Sequence, residues 1–263
     1  MTETTQDNAQ DIQTFWRFGP DGSEEIERGV PEELPLTIQI NGQEAGTVLC
    51  TPEKLNYLTV GFLYLEGIIE TLSDVLMVHM ENGVADVRLH KQITLPERKI
   101  RTSGCGGGVT FQLDTDISPL ASERRLRPEQ VSDLMKLLYA YCEAYRDTGG
   151  IHTAALSDGE QLLVVSEDLG RHNTLDKIAG ECLFREIDTS DGILVTTGRI
   201  SSEMLFKAAR MGTPILISRT APTSLAVDLA EQLNITLIGY ARAKRFNVYA
   251  HRERIASDHT FSS

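Results

Sequence analysis

Apolar and polar positions alternate over residues 36–40, with Leu36, Ile38 and Ile40 on one face, which predicts a strand. Asn41 and Gly42 directly after it predict a tight turn. Thr51 and Pro52 then predict a helix start, with Thr51 as cap and Pro52 at the first position. Leu55, Leu58, Val60, Phe62 and Leu65 supply its buried face. Residues 75–80 and 84–89 flank Asn82 and Gly83 and predict a second hairpin. Residues 1–8 are expected to form a disordered tail. This half is expected to be a small α+β domain, residues 1–125, carrying a glycine-rich loop over 101–110.

The chain turns polar and basic over 118–127, and Pro128 opens an amphipathic helix. Val131, Leu134, Leu138, Tyr141, Cys142 and Tyr145 recur on it at helical spacing, and Gly149 and Gly150 end it. Strands are expected at 151–156 and 161–166 around Asp158 and Gly159, then at 192–197, 214–218 and 236–240. Helices are expected at 174–183, 202–211 and 224–233. Strands separated by short helices predict an α/β domain over 126–263, with a mostly parallel sheet and helices on both faces. In such sheets ligands bind at the carboxyl edge of the strands.

Charge narrows the possible partners. The 25 Lys and Arg against 38 Asp and Glu leave a net charge of −13, a surface that repels nucleic acid and anionic membranes. No apolar stretch approaches membrane-spanning length. The first fifteen residues lack an export or organelle pattern, so a cytoplasmic address is expected.

The four cysteines, Cys50, Cys105, Cys142 and Cys182, are far apart, which fits neither a disulfide framework nor a structural zinc site. Cys142 and Cys182 fall on apolar helix faces, and Cys50 ends a strand, so packing roles are expected for all three. Cys105 stands between Gly104 and Gly106 with no apolar neighbour. Exposed backbone N–H groups and nearby Arg101 would favour its thiolate, the form that attacks a persulfide. The loop alone fits a reactive cysteine and a glycine loop that happens to contain one equally well.

Glu167, Asp168, Arg171, His172 and Asn173 crowd one strand-to-helix junction. Only Asn173 is needed there as a cap, which favours a functional site over a solvated ion-pair network. Arg199, Arg219, Arg242, Lys244 and Arg245 follow successive predicted strands, a basic edge suited to a phosphate-bearing small molecule. His152 follows two glycines, but Ala154 stands where a zinc deaminase needs its acidic shuttle, and no close cysteine pair exists. No catalytic metal is therefore expected.

With these residues laid out, residues 34–251 resemble the formate dehydrogenase accessory sulfurtransferase family, FdhD. The likeness runs through Thr51 and Pro52, Gly61 and Phe62, Glu66 and Gly67, and the Cys105 loop. It continues through Gly149, Gly150 and His152, then Glu167 and Asp168, and Gly170 to Asn173. Gly198 and Arg199, Ala221 to Ala226, and Arg245 with Asn247 to Tyr249 complete it.

The resemblance implies a cytidine-deaminase-like α/β fold with a mixed, mostly parallel sheet and without the catalytic zinc, and a homodimer. It implies a cysteine desulfurase as sulfur donor, the molybdenum bis(molybdopterin guanine dinucleotide) cofactor as acceptor, and formate dehydrogenase as client. Cys105 corresponds to the family's persulfide cysteine. Tyr240, Ala241, Arg242, Ala243, Lys244 and Arg245 correspond to its cofactor-binding segment. One departure stands out: where the family commonly has a second loop cysteine, this chain has Gly108. Transfer then rests on Cys105 alone, or the chain has kept cofactor binding and changed its chemistry. A non-catalytic cofactor chaperone and a guanine-nucleotide-binding module are the alternative readings.

Overall fold

The computed structural model describes residues 10–94, 99–101, 109–111, 117–142 and 148–256. The expected tail, the Cys105 loop with Gly108, and Tyr145 lie outside the described residues.

Strands β1 (Gln10–Gly19) and β2 (Gly22–Pro31) pair with each other as a separate antiparallel hairpin. Strands β3 (Leu34–Ile40), β4 (Gln43–Cys50), β5 (Val75–Glu81) and β6 (Val84–Leu89) form a four-stranded sheet in the order β4-β3-β6-β5. Both expected turns are present. Asn41 and Gly42 at φ 51° and 84°, and Asn82 and Gly83 at 49° and 74°, take the left-handed geometry that two-residue hairpins require.

Helix α1 (Leu55–Leu65) starts later than the sequence predicts, after Lys54 in the left-handed region. Thr51 does not cap it and Pro52 is not its first residue, because the Thr51 hydroxyl is taken by a buried lysine described below. Residues 58–63 and Leu65 are all buried, as befits a helix that is apolar all round. Leu58, Val60, Phe62 and Leu63 pack on the four-stranded sheet, while Leu65 joins the core of the second sheet.

Strands β7 (Lys99–Arg101) and β8 (Val109–Phe111) pair antiparallel, with Arg101 opposite Val109. Helix α2 (Pro128–Tyr141) follows, then β9 (His152–Ser157), β10 (Leu162–Asp168) and α3 (Arg171–Phe184). The chain continues through β11 (Ile193–Thr196), α4 (Ser202–Arg210), β12 (Ile215–Ser218) and α5 (Ser224–Leu233). It ends in β13 (Thr236–Arg242) and β14 (Arg245–Ala250).

The second sheet has the order β10-β9-β11-β12-β13-β14. It is mixed, as expected, but not mostly parallel: only β11 with β12 and β12 with β13 pair parallel. The tight turn at Asp158 and Gly159 makes β9 and β10 an antiparallel hairpin, and β13 folds back on β14. The last strand carries no glycine turn before it, only Ala243 at φ 52°, which is why the local pattern did not announce it.

Helices cover both faces. Alternate residues of the sheet (Leu156, Leu194, Leu216, Leu237) meet α3, α4 and α5, and the others (Ala155, Val195, Ile217, Ile238) meet α2. On α2 the buried positions are Val131, Leu134, Met135 and Leu138, with Cys142 just beyond. Tyr141 points outward, against the expectation from spacing.

Helices α1 and α3 touch backbone to backbone. A Cβ on Gly61 would overlap the Asp176 carbonyl, and one on Gly180 would overlap the Tyr57 carbonyl. Glycine at both crossing points lets the helices approach to where no side chain fits between them. Gly61→Ala is therefore expected to lower stability by about 1–3 kcal/mol through overpacking. The measurement is a urea unfolding midpoint at unchanged slope; an unmoved midpoint would show that the helices separate without cost.

Candidate functional site

The crowded junction after β10 proves to be largely scaffold. Asp168 and Lys177 form an ion pair at 2.6 Å with neither side chain exposed. Both Asp168 oxygens are occupied: Oδ2 accepts from the Thr51 N–H at 3.1 Å and hydroxyl at 3.2 Å, and Oδ1 from the Gly170 N–H at 2.9 Å and Asn173 Nδ2 at 2.7 Å. Lys177 also donates to Thr51 Oγ1 at 2.7 Å. Asn173 sits inside α3, one turn beyond the Gly170 cap, and donates to the Leu49 carbonyl at 2.8 Å. It is a cross-link between β4 and the β10–α3 junction, not the helix cap that the sequence suggested.

Deeper along α3, Asp176 pairs with Lys207 of α4 at 2.6 Å. Burial pushes Asp176 up to about 6, despite the lysine's opposing pull. His172 lies 3.2 Å from Ser201 Oγ and 3.4 Å from Glu203 Oε2. Its pKa is driven down to about 2 by burial first, and then by Lys207, Arg171 and His152.

The open chemistry lies beside this scaffold, at the carboxyl edge of β11, β12 and β13. A cavity of about 420 Å³ opens there, within the size range of small-molecule sites. Gly149, Gly150, Ile151 and His152 form one wall. Thr197, Arg219, Thr220 and Arg242 form the other.

Backbone hydrogen bonds continue past the strand ends and hold this edge. The Thr197 N–H donates to the Thr153 carbonyl at 2.9 Å, that of Arg219 to Thr196 at 3.1 Å, and that of Tyr240 to Thr220 at 3.0 Å. Small residues let the loops close up. A Cβ on Gly198 would lie 2.9 Å from the Arg171 Cβ, and one on Gly239 would lie 2.9 Å from the Tyr249 ring.

Two guanidinium groups supply the cavity's charge. Arg219 lies over the Tyr139 ring, with Cζ 4.9 Å from the centroid, and Arg242 lies 5.7 Å from the Tyr240 centroid. Arg242 Nε donates to the Arg219 carbonyl at 3.2 Å. A register shift between Gly239 and Arg242, with Tyr240 at φ 51°, breaks the regular alternation of β13 just before Arg242. His152 is held below the ordinary histidine range, chiefly by burial and then by Arg171 and Arg199, with Asp168 pulling the other way. Near neutral pH it faces the cavity as a neutral ring. The positive charge of the cavity wall therefore comes from its arginines and not from His152.

The remaining basic residues are placed differently. Arg199 is exposed on the loop after β11, and Lys244 and Arg245 are exposed at the β13–β14 turn, outside the cavity wall. Ala243 forms that turn at φ 52°, Tyr240 is exposed beside the cavity, and Ala241 is buried against the α2 core. Cys105 lies outside the described residues. Sequence reasoning missed Tyr139, whose contact with Arg219 joins residues far apart in the chain; its aromatic ring on a helix carried no signal beyond packing.

The three described cysteines are buried. Cys50 is raised to about 12 by burial and then by Asp168, and Cys182 to about 12 by burial and then by Glu181. Cys142 Sγ donates to the Leu138 carbonyl at 3.2 Å. Among the described residues, no three of His, Cys, Asp and Glu come together as a metal-holding group, and no helix is long and apolar enough to cross a membrane.

Comparison with known proteins places this architecture. The FdhD/NarQ family model matches residues 31–256. The sulfur carrier protein FdhD of Bacillus subtilis (strain 168) is 39% identical over 258 residues, spanning 95% of this chain and 98% of that protein. The sulfur carrier protein FdhD of Staphylococcus aureus (strain MRSA252) is 41% identical over 232 residues, spanning 85% and 88%. A crystal structure of a candidate formate dehydrogenase accessory protein from Desulfotalea psychrophila superposes with a TM-score of 0.80 at 27% identity. It covers 94% of this chain and 100% of that one.

His172 makes folding pH-dependent. It stays neutral in the folded chain down to about 2 but takes up a proton near 6.5 when unfolded. Between these values the unfolded chain binds more protons, so stability present at neutral pH is lost as pH falls through 6.5. Acidification from pH 7.5 to 5 is expected to remove about 2 kcal/mol through this residue. Urea unfolding at both pH values should show a shallower dependence in His172→Gln; identical dependence would mean the ring protonates freely in the folded chain.

Proposed function

The chain belongs to the FdhD/NarQ family, and we propose on that premise that it is a sulfurtransferase of formate dehydrogenase maturation. Cys105 accepts persulfide sulfur from a cysteine desulfurase. It then passes that sulfur to the molybdenum bis(molybdopterin guanine dinucleotide) cofactor, which is bound as substrate. The observation that carries this reading is the state of the other cysteines. Cys50, Cys142 and Cys182 are buried, and the thiols of Cys50 and Cys182 are held far above neutrality. A sulfur acceptor must be an accessible thiolate, so the chemistry falls to Cys105.

In the transfer step the Cys105 thiolate attacks the outer sulfur of the donor persulfide. One S–S bond forms as the other breaks, and the donor cysteine leaves as a thiolate, so no net oxidant is needed. With Gly108 in the loop, there is no second loop cysteine to displace the sulfur as sulfide. The same glycine is also what a chaperone that had given up sulfur transfer would show.

The edge cavity supports the substrate assignment. Its volume fits one nucleotide-sized end of the cofactor, and Arg219 and Arg242 offer planar donors to a diphosphate. Neutral His152 adds a hydrogen-bonding group without charge. Arg199, Lys244 and Arg245, exposed nearby, extend the positive field outward. The mixed sheet with helices on both faces is also compatible with a cytidine-deaminase-like description of this domain.

Two measurements test the reading. Intact-mass spectrometry after incubation with a desulfurase and cysteine is expected to show a gain of about 32 Da, one sulfur on a thiolate. The gain should be reversed by reductant, absent in Cys105→Ala and retained in Cys50→Ala. If Cys105→Ala still restores formate dehydrogenase activity to a strain lacking this protein, the chaperone reading replaces the sulfurtransferase. Separately, Arg242→Ala is expected to weaken GDP binding roughly ten- to a hundredfold in calorimetry; unchanged affinity would move the nucleotide site elsewhere.

A further inference from the structure

We propose that Tyr139 of α2 is a positioning residue for the edge cavity, holding the Arg219 guanidinium in place for an incoming phosphate group. The proposal rests on the reading of that cavity as the site for the nucleotide end of the substrate. Tyr139 and Arg219 are brought together only by the fold, since α2 lies on the sheet face opposite α3, α4 and α5.

The backbone of Arg219 is fixed from both sides. Its N–H donates to the Thr196 carbonyl at 3.1 Å, and its carbonyl accepts from Arg242 Nε at 3.2 Å. Its side chain, however, is long and has many rotamers, which the backbone bonds do not restrict. The Tyr139 ring is partly buried and packs against the cluster between α2 and the sheet, which restrains it. The guanidinium carbon lies 4.9 Å from the ring centroid, within cation–π range.

Stacking on the aromatic face leaves the donors of a planar guanidinium pointing outward in its own plane, where an anion can take them bidentately. A side chain already ordered does not have to be ordered at binding, which raises affinity without adding a contact to the ligand. Tyr139 thus acts on the ligand through Arg219. The cavity's wall residues do not include it.

Calorimetry with GDP and with guanosine tests this. Tyr139→Leu is expected to weaken GDP roughly three- to tenfold and to leave guanosine unchanged, because the effect is on a phosphate-binding group. Tyr139→Phe, which keeps the ring face, should bind GDP within about twofold of the parent protein. In an Arg219→Ala background, Tyr139→Leu should cause no further loss, as expected for two residues acting as one unit. Tyr139→Met takes the place of the leucine variant if that variant does not fold. Unchanged GDP affinity on loss of the ring, or an equal loss with and without Arg219, overturns the proposal. If Arg219→Ala alone leaves GDP binding intact, the underlying reading of the cavity fails instead.

Discussion

The structure depends on one buried ion pair. Lys177 and Asp168 meet with no exposed surface, and Thr51 bridges them by donating to the carboxylate while accepting from the ammonium. Three parts of the chain converge here: the end of β4, the end of β10 and the second turn of α3. Separating the charges would leave one of them unpaired in a low-dielectric interior, where an uncompensated ion typically costs about 3–5 kcal/mol. The pair therefore acts as a latch, holding the four-stranded sheet and α1 against the second sheet. The Gly61 and Gly180 crossing lies along the same seam, and Lys54 crosses it again by pairing with Glu181 at 2.5 Å and donating to the Val165 carbonyl at 2.8 Å.

That latch accounts for much of the polar crowding at one junction. Each oxygen of Asp168 is saturated by hydrogen bonds, and His172 is kept neutral by its burial. Groups so committed are poor general acids or bases near neutral pH. The adjoining cavity takes the opposite arrangement: Arg219 and Arg242 lie near aromatic rings and form no ion pair with a carboxylate among the described residues. Rigid scaffold and receptive edge are neighbours because β9, β10, β11, β12 and β13 place their junctions on one side of the sheet.

The cysteines divide along the same line between interior and edge. Burial raises the Cys50 and Cys182 thiols to about 12, protecting them from oxidation and metal capture. Cys142 is likewise enclosed, at the end of α2. An interior that keeps three thiols protonated or shielded is consistent with the proposed assignment of the sulfur chemistry to Cys105. The proposed sulfur transfer requires such a division of labour, since stray persulfides on structural cysteines would trap the cargo.

Patterns with a short period were legible in the sequence. Two hairpin turns at Asn41-Gly42 and Asn82-Gly83, the helix from Ser224 to Leu233, and the alternating short strands of the second half follow from local rules of φ, ψ and spacing. So did the family resemblance, the basic residues after successive strands, and the packing roles of Cys50, Cys142 and Cys182. Strand direction in the second sheet was only partly legible: the Asp158-Gly159 turn implies that β9 and β10 run antiparallel, but no local signal announces that β9 also pairs antiparallel with β11 or that β14 folds back on β13. Nor were the partners of Thr51, which the sequence marked as a helix cap. They come from residues 117 and 126 positions away, and a hydroxyl saturated by them is no longer available to cap a helix. Tyr139 beneath Arg219 belongs to the same class. Local periodicity determines which face of an element turns inward, whereas the identity of what it meets there is decided only when distant elements close on one another.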